Sequence, residues 1–249
     1  MSTAAAHDVV IAGGGLAGAS LAVGLAGAGF DVGVIEAVAR DADHQPSYDD
    51  RTLVANRASL NILRNLGILD DSVPRCPIRR IDITRAGGFG QVVLRARDHD
   101  LDHFGAVIVA RELGNRLLGC LEKTDGITQY CPERLETFHV DGDRVRIRLA
   151  SGGTPSARLL VGADGTGSAI RQAAGIASSL HDYRQSAMIF NVTARPPSSD
   201  VAHERFTPAG PLAFLPQPAG RYGVAWVDAS SGIDEAMAMD DRTLLRALR

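Results

Sequence analysis

Asp8-Val9-Val10-Ile11-Ala12-Gly13-Gly14-Gly15-Leu16-Ala17-Gly18 is the stretch on which the fold turns. Its first five residues make a short, nearly continuous apolar run that stops at glycines, as a parallel strand buried on both faces does. The next six satisfy the GxGxxG spacing. In that arrangement Gly13 permits a tight turn, Gly15 lets a pyrophosphate approach the backbone, and Gly18 lets helix and strand pack closely. A helix starting there, with Leu16 and Ala17 in its first turn, offers unpaired N–H donors and a partial positive charge to phosphates.

Leu16 to Gly29 is small and apolar, which suits a helix pressed against a sheet, and Asp31-Val32-Gly33-Val34-Ile35-Glu36 reads as a second strand with an acidic end. Glu36 stands about 20 residues beyond the glycines, where a carboxylate can accept from ribose hydroxyls. The whole is one strand-helix-strand unit with a right-handed crossover, built for a dinucleotide. By itself it does not separate FAD from NAD.

Composition narrows the classes. The 249 residues are 45% hydrophobic, enough for one large domain or two intertwined smaller ones. Net charge is -3, so no global field favours nucleic acid, and no nucleic-acid partner is expected. Cys76, Cys120 and Cys131 are odd in number and widely spaced, which indicates neither a zinc site nor a disulfide framework. They read as small buried hydrophobes in a reducing compartment. Val9 to Phe30 carries no charge over roughly the 20 residues that span a bilayer. Its seven glycines and the lack of a preceding basic cluster argue instead for strand, turn and helix.

Further along, a polar loop (Arg40 to Asp50) precedes a helix over Asn56 to Leu66, with Gly67 as its stop. Ile81-Asp82-Ile83 and Val92-Val93-Leu94 flank Gly87-Gly88 and suggest antiparallel strands. Arg111 to Glu122 is helical, with Leu113, Leu117, Leu118 and Leu121 on one side. Arg144 to Leu149 alternates strictly after an Asp141-Gly142 turn, so its arginine row is expected to be a solvated face. Beyond Asp182 the chain is β-rich and punctuated by prolines.

A second signature stands at Leu160-Val161-Gly162-Ala163-Asp164-Gly165-Thr166-Gly167-Ser168-Ala169-Ile170-Arg171. It reads as a strand, an Asp-Gly turn and a helix capped by Ser168. Two other segments are distinctive: Ser47-Tyr48-Asp49-Asp50-Arg51-Thr52-Leu53, and Glu204-Arg205-Phe206-Thr207-Pro208-Ala209-Gly210-Pro211-Leu212-Ala213-Phe214-Leu215-Pro216.

Taken together, these elements resemble the flavoprotein aromatic hydroxylases, the class containing p-hydroxybenzoate hydroxylase. The last two segments are similar to the DxR loop and the ERFTxxGPLAxLP segment of its ubiquinone-biosynthesis branch, with the 2-polyprenyl-6-methoxyphenol hydroxylases the nearest pattern. The resemblance covers essentially the whole chain. It implies an α/β fold: a Rossmann-like FAD-binding domain of the glutathione-reductase type (residues 1–76 and 108–180), interleaved with a mainly antiparallel β substrate domain (77–107 and 181–249).

The resemblance also implies FAD as cofactor, NADPH or NADH as co-substrate, and transfer of one oxygen atom from O₂ to a prenylated phenol. Beside Gly13, Gly15, Leu16, Ala17, Gly18 and Glu36, the implied FAD contacts are Arg51, Arg111, Asp164, Gly165 and Arg171. No catalytic side chain is assigned and no metal site is expected, since no Ser-His-Asp, metal cluster or paired-carboxylate motif is seen. His181 and Tyr183 do not rise above ordinary loop residues. A cytoplasmic protein is implied, at most peripheral at the inner face of the membrane, with a ubiquinone-biosynthesis assembly as partner.

One departure counts. The family's third signature, Gly-Asp-Ala-(Ala)-His-x-x-x-Pro, is nowhere in the sequence. The expectation is a C-terminally truncated hydroxylase, inactive as this chain and poorly soluble or of low thermal stability through uncovered edges. The other reading is a non-catalytic remnant or binding module of a quinone-synthesis assembly.

Overall fold

The structure is a computed structural model that describes residues 5–39, 49–197 and 199–248. The expected polar loop, and Ser47-Tyr48 of the DxR segment, therefore fall largely outside the described residues.

In chain order the elements open with β1 (Ala6–Ala12), α1 (Leu16–Gly27), β2 (Val32–Ile35), β3 (Thr52–Asn56), α2 (Arg57–Asn65), β4 (Arg75–Ile78), β5 (Arg80–Arg85) and β6 (Gln91–Arg95). Then come β7 (Gly105–Val109), α3 (Ala110–Lys123), β8 (Ile127–Tyr130), β9 (Leu135–Asp141), β10 (Arg144–Leu149), β11 (Ser156–Gly162) and α4 (Ala169–Ala173). The rest is β12 (Gln185–Thr193), β13 (Val201–Phe206), β14 (Pro211–Gln217), β15 (Arg221–Ala229), α5 (Ser230–Met237) and α6 (Asp241–Ala247). The fold is mixed α/β, as the sequence implied.

Two compact units divide the chain: Met1–Asp49, Asn61–Val73 and Ala110–Ser179 form the first; Asp50–Leu60, Pro74–Val109 and Leu180–Arg249 form the second. Residues 50–60 fall in the second unit because β3 pairs antiparallel with β7 along its whole length.

In the first unit one sheet has the order β8-β2-β1-β11-β10-β9. Its four strands β8, β2, β1 and β11 run parallel. Val10, Ile35, Ile147, Leu149 and Ala157 form a buried cluster there, and α1 packs beside α3, whose Leu113, Leu117 and Leu121 are buried. The hairpin β9–β10 turns at Gly142, in the left-handed region, as the Asp-Gly pair required. The arginine row is solvated as expected, with Arg146 pairing to Asp141 at 2.6 Å and Arg148 to Glu136 at 3.3 Å on the exposed face, while Arg144 donates to the His7 carbonyl at 3.2 Å. Gly67 closes α2 with φ +68°, its N–H donating to the Arg64 carbonyl at 2.9 Å.

One buried polar group escaped the sequence reading. His7, on β1, is 4% exposed. One ring nitrogen meets Asp31, and the other lies 2.8 Å from the Tyr130 hydroxyl, so the β-sheet satisfies both. Burial, then the nearby Asp31 charge, pushes the Tyr130 hydroxyl up.

The second unit contains a six-stranded sheet of order β12-β15-β14-β13-β5-β6 and a three-stranded sheet of order β3-β7-β4. All neighbours in the larger sheet are antiparallel except β13 and β5. The hairpin β5–β6 turns where Gly87-Gly88 suggested. On one face α5 lies over β12 and β15. On the other, Ala202, Ile81 and Leu215 join Ile78, Val107, Cys76 and Phe104 in a core shared with the small sheet. The three cysteines are half-buried and form no disulfide among the described residues, less enclosed than expected.

The uncharged run from Val9 to Phe30 is spent on β1, the turn and a 12-residue α1. No helix among the described residues is long and apolar enough to cross a membrane.

Candidate cofactor site

β1 is flanked by β2 on one side and β11 on the other, so the connections that follow β1 and β11 diverge. Open α/β sheets bind ligands at the carboxyl ends of such strands. Here those ends are tied together: the Gly13 N–H donates to the Ile35 carbonyl (2.8 Å), and the Ala163 N–H donates to the Ala12 carbonyl (2.7 Å).

Two glycines have no substitute in this geometry. Gly13 has φ +107°, and a Cβ there would lie 2.3 Å from the Ala163 carbonyl oxygen. A Cβ on Gly18 would lie 1.9 Å from the Gly13 carbonyl oxygen. The turn and the first turn of α1 are thus in backbone contact, as the GxGxxG reading required.

α1 begins uncapped. Gly15 at its N-cap has no side chain to offer, and no acidic residue stands in its first turn. Its leading N–H groups and dipole are left for an anion. The start of α4, at the end of the neighbouring strand β11, is the opposite case. Ser168 accepts from the Arg171 N–H at 3.0 Å, the cap expected from sequence. Asp164 accepts from the Ser168 hydroxyl and from the N–H groups of Ala169 (2.7 Å) and Ile170 (3.2 Å). One helix start is self-satisfied; the other fits a phosphate.

Glu36 sits at the end of β2, and its carboxylate accepts from the Gly14 N–H at 2.7 Å and the Val38 N–H at 2.8 Å. It therefore braces the glycine turn, a role sequence spacing did not reveal. A carboxylate has about four acceptor positions, so capacity remains for ribose hydroxyls.

Burial acts to raise the Asp164 carboxyl, but the hydrogen bonds from Ser168, Ile170 and Ala169 outweigh it and hold the group below the usual carboxylate range. Because the folded value is depressed, its contribution is fully present above the unfolded value of about 3.9 and is lost as pH falls through the folded one. Asp164→Ala is expected to cost about 1 kcal/mol at neutral pH, as loss of a helix-capping acceptor does. Urea unfolding at pH 7 and at pH 3 should show the difference narrowing in acid; an equal difference at both would remove the carboxylate from the account.

The structure brings together Gly13, Gly15, Leu16, Ala17, Gly18, Glu36, Asp164 and Gly165 at the ends of β1, β2 and β11. Arg171 lies in α4 and donates to the Thr166 carbonyl at 3.0 Å, stapling the Asp-Gly turn. Arg111 is the second residue of α3, exposed, and its N–H donates to the Asp49 carbonyl at 2.9 Å. Arg51 belongs to the second unit, exposed just before β3. No group of His, Cys, Asp and Glu suited to a metal ion occurs among the described residues.

A sheet whose strands β8, β2, β1 and β11 run parallel, with an open, glycine-shaped helix start at its switch point, defines a dinucleotide-binding protein. Residues 6–227 match the family described as FAD binding domain, and the chain belongs to that family. It is 34% identical over 238 residues to 3-demethoxyubiquinol 3-hydroxylase of Escherichia coli, covering 94% of this chain and 60% of that protein. It is 33% identical over 236 residues to ubiquinone hydroxylase UbiL of Rhodospirillum rubrum, covering 93% of this chain and 54% of that protein. Among solved structures, PqsL from Pseudomonas aeruginosa, described as a probable FAD-dependent monooxygenase, shares the fold. Its TM-score is 0.83 at 20% identity, covering 98% of this chain and 66% of that one. The chain thus spans 60% or less of the length of these two curated relatives.

Proposed function

We propose that this chain is the FAD-binding part of a monooxygenase that hydroxylates a prenylated phenol in ubiquinone biosynthesis, with NAD(P)H as reductant and O₂ as oxidant. The observation that carries the reading is the uncapped start of α1 beside the self-capped start of α4. An unsatisfied helix N-terminus in backbone contact with a glycine turn is what a pyrophosphate needs. The relatives named as ubiquinone and demethoxyubiquinol hydroxylases support the substrate class.

In this reading the first unit holds FAD and the second holds the substrate. Gly13, Gly15 and the N–H groups of Leu16, Ala17 and Gly18 take the pyrophosphate. Glu36 takes the adenosine ribose while bracing the turn. Asp164 and Gly165, with Arg171 holding their turn, serve the flavin end, and Arg111 adds charge to the same cofactor. When bound, the flavin supplies the oxygen-transfer chemistry; the protein binds, orients and keeps water away. A prenylated substrate partitions into bilayers, so the protein works as a peripheral membrane protein on the cytoplasmic side, beside other enzymes of the same synthesis.

The test is a titration of the purified chain with FAD, followed by NADPH oxidation with and without 2-prenylphenol. A bound flavin spectrum is expected; phenol-stimulated oxidation would show in addition that these residues suffice for turnover. A colourless chain that takes up no FAD overturns the reading. FAD uptake without any oxidation limits it to cofactor binding and favours a non-catalytic module.

A further inference from the structure

The six-stranded sheet of the second unit has one face that α5 does not cover. Register places Ile83, Ile189, Phe206, Ala213 and Ala225 on it. One end of this face is closed by the three-stranded sheet, through the core around Ala202 and Leu215 and through the Gln217 amide, which donates to Thr52 at 2.8 Å. Towards the other end it opens, and Phe206 is 50% exposed. Glu204 stands in the middle, on β13. Its lateral partners are Ile83 and Ala213, and its same-face neighbours along the strand are Ala202 and Phe206. All four are apolar.

Glu204 is half-buried and has no hydrogen bond or ion pair among the described residues. An unpartnered carboxyl in such a setting destabilises the fold, so its presence points to a ligand group that completes it. Burial pushes this carboxyl up. The register puts Arg85 and Arg221 at opposite ends of the same face. On the small sheet packed against it the charged or titratable side chains are Arg75 and Cys76, with Asp50 and Arg51 leading in.

We propose that Glu204 accepts a hydrogen bond from the phenolic hydroxyl of the substrate, while the apolar residues around it receive the ring and the prenyl chain. This rests on the phenol-hydroxylating function proposed above and names the residue of the second unit that positions the ring. An acceptor surrounded by apolar side chains selects a phenol over an ether, because only the phenol donates a hydrogen bond to it.

The test uses the full chain and two probes, 2-prenylphenol and its methyl ether, with binding measured calorimetrically. The wild type is expected to bind the phenol about tenfold tighter than the ether, as loss of one charge-assisted hydrogen bond gives. Glu204→Ala should bring the phenol down to the ether's affinity, and Glu204→Gln, a neutral acceptor, to an intermediate value. Neither should move the ether's affinity more than twofold.

A phenol stays protonated well below its pKa of about 10. Wild-type affinity for it should therefore fall in acid as Glu204 protonates, and that dependence should vanish in Glu204→Gln. Since the raised carboxyl costs stability as pH rises through its folded value, Glu204→Gln should melt no lower than wild type at neutral pH. Equal phenol affinity in wild type and Glu204→Ala overturns the assignment; should Glu204→Ala fail to fold, an unchanged pH dependence in Glu204→Gln overturns it instead. A wild type that binds phenol and ether equally removes Glu204 alone. One that binds neither removes the second unit's proposed role as well, while FAD uptake by the first unit is read separately.

Discussion

Gly18→Ala should abolish FAD binding and lower the stability of the chain by about 3 kcal/mol, the upper range for overpacking a closed site. The added carbon would sit 1.9 Å from the Gly13 carbonyl oxygen and 3.2 Å from the Ala163 Cβ. The closest of these is backbone, so no side-chain rotation relieves the clash. α1 must move away from β1 and β11, which separates the helix start from the turn that shapes it. Urea unfolding reads the stability and a flavin titration reads the binding. A variant that melts like wild type and retains FAD would show that helix and turn are not in the close contact described.

Ala17→Glu is expected to separate the two readouts: leave stability unchanged or slightly raised, and weaken FAD binding about a hundredfold, since like charges brought together at a binding surface cost several kcal/mol. Ala17 is exposed and lies in the first turn of α1, which carries no acidic residue. A carboxylate there favours the helix dipole by about 0.3–1 kcal/mol. It also occupies, with negative charge, the donors that a pyrophosphate would use. Because the fold is spared, loss of affinity cannot be blamed on unfolding. Undiminished FAD binding by a folded Ala17→Glu would mean that the anion is not held at this helix start. Gly18→Ala and Ala17→Glu, one residue apart, thus separate shape from charge.

Several features are legible in the sequence alone. The glycine turn, the Ser168 cap, the Gly67 stop and the Gly87-Gly88 and Asp141-Gly142 hairpins all depend on interactions within a few residues of sequence. Local conformation decides them, and residue type reports local conformation directly. β3 and β4 were not legible. Thr52 and Leu53 were read in the DxR loop and Asn56 as the start of a helix, and Arg75–Ile78 contains a proline; both become strands because β7 lies between them. That pairing joins residues separated by roughly thirty to nearly sixty positions, and no local pattern announces it.

The site divides along the same line. Residue types and spacing alone determined that the chain would hold a dinucleotide: a strand, three glycines, a helix and an acid in order constrain the backbone whatever lies elsewhere. Tertiary structure decided the rest. It set β11 beside β1, more than 140 residues away in sequence, so that Ala163 and Asp164 border the turn. It turned Glu36 back onto Gly14, and it left Glu204 among apolar neighbours, with no hydrogen bond or ion pair among the described residues. The reason is physical: a backbone turn is specified by its own dihedral preferences, whereas the charge and solvation of a side chain depend on which distant segments fold against it.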